Sequence, residues 1–295
     1  MVVLNEGSRP GSNTIILRAR RSRVEKYHKD VLDRARTRNN NMAYTTTKRV
    51  RNLFDPLRHG SGQAAKEPFR FSRSRLENFT RCPRCFYLDL RLGVAQPQGY
   101  PFNLNSAVDH LLKKEFDVHR AKKTPHPLMK AYGVDAIPFA HNDLDKWRHN
   151  FTGVQYLHAP TNLFVTGAVD DVWQNPKKEL IVVDYKSTSK DSEVTIDADW
   201  QDGYKRQMEI YQWLLRRNGF AVSNVGYFVY CNGRRDVEAF DAKLEFTIKL
   251  LPYEGDDAWV EGALHDAKKC LMGELPAWND ACEYCAYRKA AQELE

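Results

Sequence analysis

Two aspartates and a lysine at the ends of apolar runs carry most of the chemistry in this 295-residue chain. Asp170 closes the run Leu163-Phe164-Val165-Thr166-Gly167-Ala168-Val169, and Asp184 follows Leu180-Ile181-Val182-Val183, with Lys186 two places on. A carboxylate beside a buried run is expensive unless a cation meets it. Side chains alternate along a strand, so Asp184 and Lys186 share one face and Tyr185 takes the other. Two acids on adjacent strands can hold Mg2+ or Mn2+. With a lysine beside them they answer the needs of phosphodiester hydrolysis: a cation on the non-bridging oxygens, a water activated next to it, and positive charge for the transition state. Gln207 and Tyr211, one turn apart on a later helix, fall in with this set; read alone, they are equally the polar edge of a helix packed on a sheet.

A second constellation is made of thiols. Cys82-Pro83-Arg84-Cys85 and Cys282-Glu283-Tyr284-Cys285 are two Cys-x-x-Cys pairs with 196 residues between them. In a large chain without a secretory pattern at its start, such pairs point to ligation before disulfides. Four thiolates could close a tetrahedral zinc site or hold a 4Fe-4S cluster, fastening the N-terminal helix to the C-terminus. Cys270 lies on the apolar stripe Val260, Ala263, Ala267 and Leu271, and Cys231 ends a strand, so both read as packed core residues.

The elements that must position these groups are legible in outline. Ser74-Arg75-Leu76-Glu77 has capping-box spacing and predicts a helix running into Cys82. A second helix is expected from about Asn105 to His119, with Val108, Leu111, Leu112 and Phe116 as its apolar stripe, and a third around Trp147. After the strands ending at Asp170 and Asp184, a helix from about Trp200 to Arg217 stops at Asn218-Gly219. Val225 to Cys231 reads as a strand, Asn232-Gly233 as a tight turn, and Asp236 to Phe240 and Leu244 to Leu250 as further strands, before a last helix over Asp256 to Met272. This order predicts a mixed α/β sheet flanked by helices.

Charge divides the chain unevenly. Residues 1 to 70 hold 16 Lys or Arg against 6 Asp or Glu, so the formal +7 of the whole belongs to this arm and the remaining 225 residues carry −3. Arg-rich and Asn-rich segments ending at Gly60-Ser61-Gly62-Gln63 make residues 1 to 70 a basic, largely disordered arm, with room for a basic helix between about Asn13 and Arg36. The folded domain is expected over residues 71 to 295. No stretch is long and apolar enough to span a membrane, and the expected location is cytoplasmic.

In its ordered segments Gly167-Ala168-Val169-Asp170, Asp184-Tyr185-Lys186 and Gln207-Met208-Glu209-Ile210-Tyr211, the chain resembles the PD-(D/E)XK nuclease superfamily, and within it the RecB-like branch. The resemblance covers roughly residues 71 to 290 and implies a restriction-endonuclease-like core. It further implies that Asp170 and Asp184 bind the catalytic metal, with the Tyr185 carbonyl as a further ligand. Lys186 would then position water or stabilise developing charge, and Gln207 with Tyr211 would steady Lys186 or a DNA phosphate. Many RecB-like nucleases add a metal-binding histidine from an upstream Gly-x-x-x-His segment. The matching stretch here, Asn105-Ser106-Ala107-Val108-Asp109, puts Asp109 in that register and His110 one place further; a helix cannot aim both at one point, and Asp109 is the first choice. Some relatives hold a 4Fe-4S cluster with one early and three late cysteines. Cys270 would restore that count if Cys82 or Cys85 stood aside.

The function this implies is a metal-dependent DNA nuclease, an exonuclease or end-processing enzyme in repair, recombination or defence, with DNA single strands or duplex ends as substrate. The alternative is a catalytically inactive nucleic-acid-binding or assembly subunit that keeps the fold. Lys113, Lys114, Lys205 and Arg206 are the candidate phosphate contacts, with Arg120, Lys122, Lys123, Trp147, Arg148 and Tyr204 as further members of the surface. The chain has no P-loop of the form Gly-x-x-x-x-Gly-Lys-Ser/Thr, so any ATP-driven unwinding would come from a helicase or other partner.

Overall fold

A computed structural model of the chain describes residues 52–60, 67–97 and 103–294. Most of the basic arm, including the expected helix within residues 13 to 36, lies outside the described residues. A short helix, α1 (Pro56–His59), precedes β1 (Phe69–Ser72) and two helices, α2 (Arg73–Arg81) and α3 (Pro83–Leu92). The long α4 (Asn103–Lys122) and short α5 (Pro127–Ala131) lead to β2 (Ile137–Pro138) and α6 (Leu144–Arg148). Then come β3 (Val154–His158), β4 (Leu163–Gly167), β5 (Asp171–Gln174), β6 (Leu180–Thr188), α7 (Asp202–Arg217), β7 (Val225–Gly233), β8 (Phe246–Glu254), α8 (Trp259–Met272) and α9 (Glu283–Gln292).

Among the described residues the strands form two sheets. The larger has the order β2-β5-β6-β7-β8, antiparallel throughout except for the parallel β6–β7 pair; the smaller has the order β1-β4-β3, with β1 parallel to β4. The mixed sheet flanked by helices is therefore the architecture. Both faces of β6 are covered, which is why Leu180 to Val183 reads as an unbroken apolar run. Leu180 and Val182 join a core shared with Met208, Ile210, Leu214 and Phe228, while Ile181, Val183 and Tyr185 face a second core with Phe116, Met129 and Trp173. Helix α7 packs closely over β4: a Cβ on Gly167 would stand 2.8 Å from Tyr211 Cε1 and 2.9 Å from Leu214 Cδ1, so only glycine fits there.

Several local expectations are corrected. The expected helix does run into Cys82, ending at Arg81, and a second follows from Pro83, which cannot donate a backbone hydrogen bond and holds Cys82 extended (φ −159°) between the two. The first begins at Arg73, not at a capping Ser74, and Glu77 turns inward to a two-point pair with Arg206 at 2.9 Å. Asn232-Gly233 is no turn: these residues end β7, opposite Thr247 and Phe246. Asp236 to Phe240 is not a strand. Arg234 instead pairs with Asp236 (3.0 Å) and Glu245 (3.1 Å), and Asp241 and Ala242 turn with positive φ. Upstream of Phe71, Phe54, His59 and Phe69 are buried, and Phe69 meets the other two rings edge to face, so packing against the core reaches into residues 52–60.

Candidate active site and thiol cluster

Asp170 sits between β4 and β5, and Asp184 and Lys186 lie on β6. The tight β5–β6 pairing, with Asp171 opposite Val183, brings the two carboxylates to one end of the sheet. Asp184 is fully buried. Its Oδ1 accepts from Gln207 Nε2 at 2.6 Å, and the same amide reaches the Tyr211 hydroxyl at 3.1 Å, so α7 clamps the acid from above. Its Oδ2 lies against the Lys186 ammonium as an ion pair. Burial pushes Asp184 up to about 6, with Lys186 pulling it down and Asp170 adding to the rise. Burial would lower Lys186, but the charges of Asp184 and Asp170 outweigh it and its pKa is raised, so it stays cationic.

Asp170 is partly open. Its Oδ2 accepts from the Tyr185 backbone amide at 2.9 Å, and its Oδ1 faces Lys113 at 3.5 Å. Lys113 also bonds Asp109 one turn back on α4, at 2.8 Å. Burial and the Asp170 charge raise the pKa of Asp109. These groups line a cleft of about 490 Å³ together with Asn105, Ser106, Arg148 and Tyr204. His110 does not line it, whereas Asp109 does. The cleft thus gathers two carboxylates, Asp109 and Asp170, and two lysines, Lys113 and Lys186; Lys186 pairs with the buried Asp184 and lies over the Tyr204 ring at 4.5 Å.

One residue on, Asp171 has the opposite fate. It is fully buried and turned away, bonded by Arg148 (2.8 Å), the Tyr185 hydroxyl (2.9 Å), its neighbour's amide (Val172, 2.8 Å) and the Arg120 guanidinium. Arg148 donates also to Asp117 (2.9 Å) and to the Asp170 carbonyl (3.1 Å), so this buried network holds the loop that carries Asp170. Sequence reasoning placed Arg120 and Arg148 on a phosphate-binding surface; both are instead committed to Asp171, because a fully buried carboxylate needs charge-assisted partners. Trp147 is likewise buried, against His141 and Phe220. Arg206 is taken by Glu77 and Lys205 by Asp202 (3.2 Å), while Lys114 is exposed on α4. Arg73 was missed. It bonds the Tyr211 hydroxyl and feels the charge of Asp184 from the start of α2, a position to which no spacing in the sequence points.

The four expected cysteines meet. Cys82 Sγ lies 3.6 Å from Cys285 Sγ, and Cys85 Sγ lies 3.7 Å from Cys282 and 3.8 Å from Cys285. They are free thiols. Cys82 caps α3, accepting from the Cys85 amide, and Cys282 stands at the start of α9, so each pair is presented at a helix N-terminus. Trp278 packs against the thiols and carries Arg84 on its face at 3.8 Å. Burial raises Cys82 and Cys85, whereas amides of Cys285 and Tyr284 and the neighbouring thiols outweigh burial and lower Cys282. Cys270 is outside the group; it reaches the Pro83 carbonyl (3.8 Å), and burial lifts its pKa to about 11. Cys231 is buried in β7.

No curated protein matches the chain. Among solved structures, the crystal structure of SSO0001 aligns over 76% of this chain and 86% of that one, at 16% identity and a TM-score of 0.38. Residues 102–290, well over half of the chain, match the family model of the PD-(D/E)XK nuclease superfamily, and that span contains Asp109, Asp170, Asp184, Lys186, Gln207 and Tyr211. The chain belongs to the PD-(D/E)XK nuclease superfamily.

Proposed function

We propose that this protein is a Mg2+- or Mn2+-dependent deoxyribonuclease of the RecB-like kind, trimming DNA single strands or duplex ends in repair, recombination or defence. The observation that carries this reading is the meeting of Asp170 and Lys186 in one cleft with the buried Asp184 paired to Lys186 and clamped by Gln207. The donor set fits the metal: the oxygens of Asp170 and Asp184, with Asp109 across the cleft, suit a hard cation and not a thiophilic one. A bound cation would supply Lewis acidity to the phosphate and a more acidic water.

The chain's own residues do the rest. Gln207 and Tyr211 hold Asp184 in place, and the Tyr185 amide orients Asp170. Lys186 keeps its positive charge and faces the cleft, where it stabilises the charge that grows on the phosphate. Lys113 bridges Asp109 and Asp170 and screens two acids that would otherwise repel each other and an incoming phosphate. A helicase or other nucleic-acid-processing partner would supply unwinding, and the basic arm offers it a charged tether.

The thiol group is best read as a zinc site. Four sulfurs around one ion at about 2.3 Å stand about 3.8 Å apart, which is the spacing observed, whereas a 4Fe-4S cluster gives each cysteine its own iron and spreads them further. End-labelled single- and double-stranded DNA incubated with Mg2+, Mn2+ or EDTA tests the main reading, beside Asp184→Asn and Lys186→Ala. Metal-dependent shortening by the native protein alone supports it; equal degradation by all three proteins, or none by any, sinks it in favour of a binding subunit.

A further inference from the structure

A second set of metal-ligating side chains lies where β3 meets α8, and none of its members lines the carboxylate cleft or belongs to the thiol cluster. His158 ends β3 and is buried. Glu261 and His265 stand one turn apart on α8, so both present to the same side of that helix. One ligand atom from each of the three lies within 4.8 Å of the other two. His158 Nε2 is 2.7 Å from Glu261 Oε2, and the His158 and His265 rings sit 5.3 Å apart, nearly perpendicular.

The surroundings orient each ligand. His158 Nδ1 is 2.7 Å from Thr161 Oγ1, which leaves Nε2 as the nitrogen aimed at Glu261. The other carboxylate oxygen, Oε1, accepts from Trp213 Nε1 at 3.1 Å and pairs with Arg217, so Oε2 is the one turned to the imidazoles. Metal-ligating histidines and carboxylates are commonly held this way, by a partner on the atom that does not ligate. Two imidazoles and one carboxylate are a donor set for borderline transition ions, not for Mg2+.

We propose that His158, Glu261 and His265 bind a zinc-like divalent ion, which staples the end of β3 to α8, with water completing the coordination on the exposed side of His265. Ligands around a tetrahedral ion stand slightly farther apart than the 2.7 Å of the present pair, so binding would open the His158–Glu261 contact by a fraction of an ångström.

The test uses the full-length protein, stripped of metal under reducing conditions, then equilibrated with excess Zn2+ in the presence of Mg2+ and desalted. The expected result is one zinc fewer per chain in His265→Ala than in the native protein. His265 is exposed, so that variant keeps its fold, which circular dichroism checks. Replacing Zn2+ by Co2+ should give a ligand-field band that His265→Ala and His158→Gln lose and Cys282→Ser keeps. Equal zinc counts in the native protein and His265→Ala, or a cobalt band that disappears only in Cys282→Ser, would overturn the proposal and leave an ordinary imidazole–carboxylate pair.

Discussion

The carboxylate cleft and the thiol cluster both collect ligand-type side chains from distant parts of the chain, yet they are built on opposite terms. In the cleft, every acid already has a cation beside it: Lys186 against Asp184, and Lys113 between Asp109 and Asp170. In the cluster, the four thiols meet one another, Trp278, Gln96 and two helix N-termini, with no ion-paired cation among the described residues. A site whose charge is balanced in advance can take up and release a metal without losing its shape. A site with no internal cation relies on the ion itself to hold its thiolates together. The first arrangement suits turnover and the second suits architecture.

The largest effect should come from breaking the cleft alone. Asp184→Asn keeps the bond to Gln207 but removes one of the three acidic donors, and should lower DNA cleavage by about 10³-fold, with a thermal midpoint close to that of the native protein. A steady-state assay with a parallel melting curve checks both parts. A large fall in melting temperature with little loss of activity per folded molecule would invert the comparison.

Cys282→Ser should do the reverse. Losing a structural ligand is expected to destabilise the fold by about 3 kcal/mol or more, lowering the melting temperature by roughly 10 °C, while activity of the folded fraction at low temperature persists. A strong chelator should reproduce the drop in the native protein, and Mg2+ should not reverse it.

The scaffold behind Asp170 gives an intermediate case. Arg120→Met removes one of the two guanidinium groups that neutralise the fully buried Asp171 and should cost about 3 kcal/mol of stability, measured by denaturant unfolding. A change within 0.5 kcal/mol, about the size of ordinary surface substitutions, would mean that Arg148 and Tyr185 suffice.

The smallest effect is a pH dependence. Because burial lifts Asp184 to about 6, a proton competes with the metal below that value and leaves the carboxylate free to ligate above it. The Mg2+ concentration for half-maximal cleavage should therefore rise about tenfold for each pH unit below 6 and be flat above 7. The stability linkage of the metal-free protein has the matching sign: the contribution of this acid is fully present below its ordinary 3.8 and lost as pH rises through about 6. A metal requirement independent of pH between 5 and 7 would place the metal elsewhere.

Much of the larger sheet could be read along the chain, since β6, β7 and α7 announce themselves by unbroken apolar runs and a helical stripe. Of the smaller sheet, only the apolar run of β4 could. β1 and β4 are parallel partners about ninety residues apart, and nothing local in Phe69 to Ser72 says so. Helix α9 was missed because Cys282 to Gln292 offers little apolar stripe; it is held by Cys285 and the thiols that meet it. Asn232-Gly233 misled for the opposite reason, a strong turn signal overridden by nine residues of β7–β8 pairing.

For the site itself, the chain alone determined that Asp184 and Lys186 share one face of a strand, that Asp170 follows an apolar run, and that four thiols come as two close pairs, because these follow from side-chain alternation and short-range spacing. Tertiary structure alone decided their company. It turned Asp170 to the cleft and Asp171 to a buried pair of arginines, paired Arg206 with Glu77, and brought Arg73 to Tyr211 and Lys113 to Asp170. The reason is physical: which partner neutralises a buried charge is settled by packing between elements far apart in the chain, and local sequence carries no record of that distance.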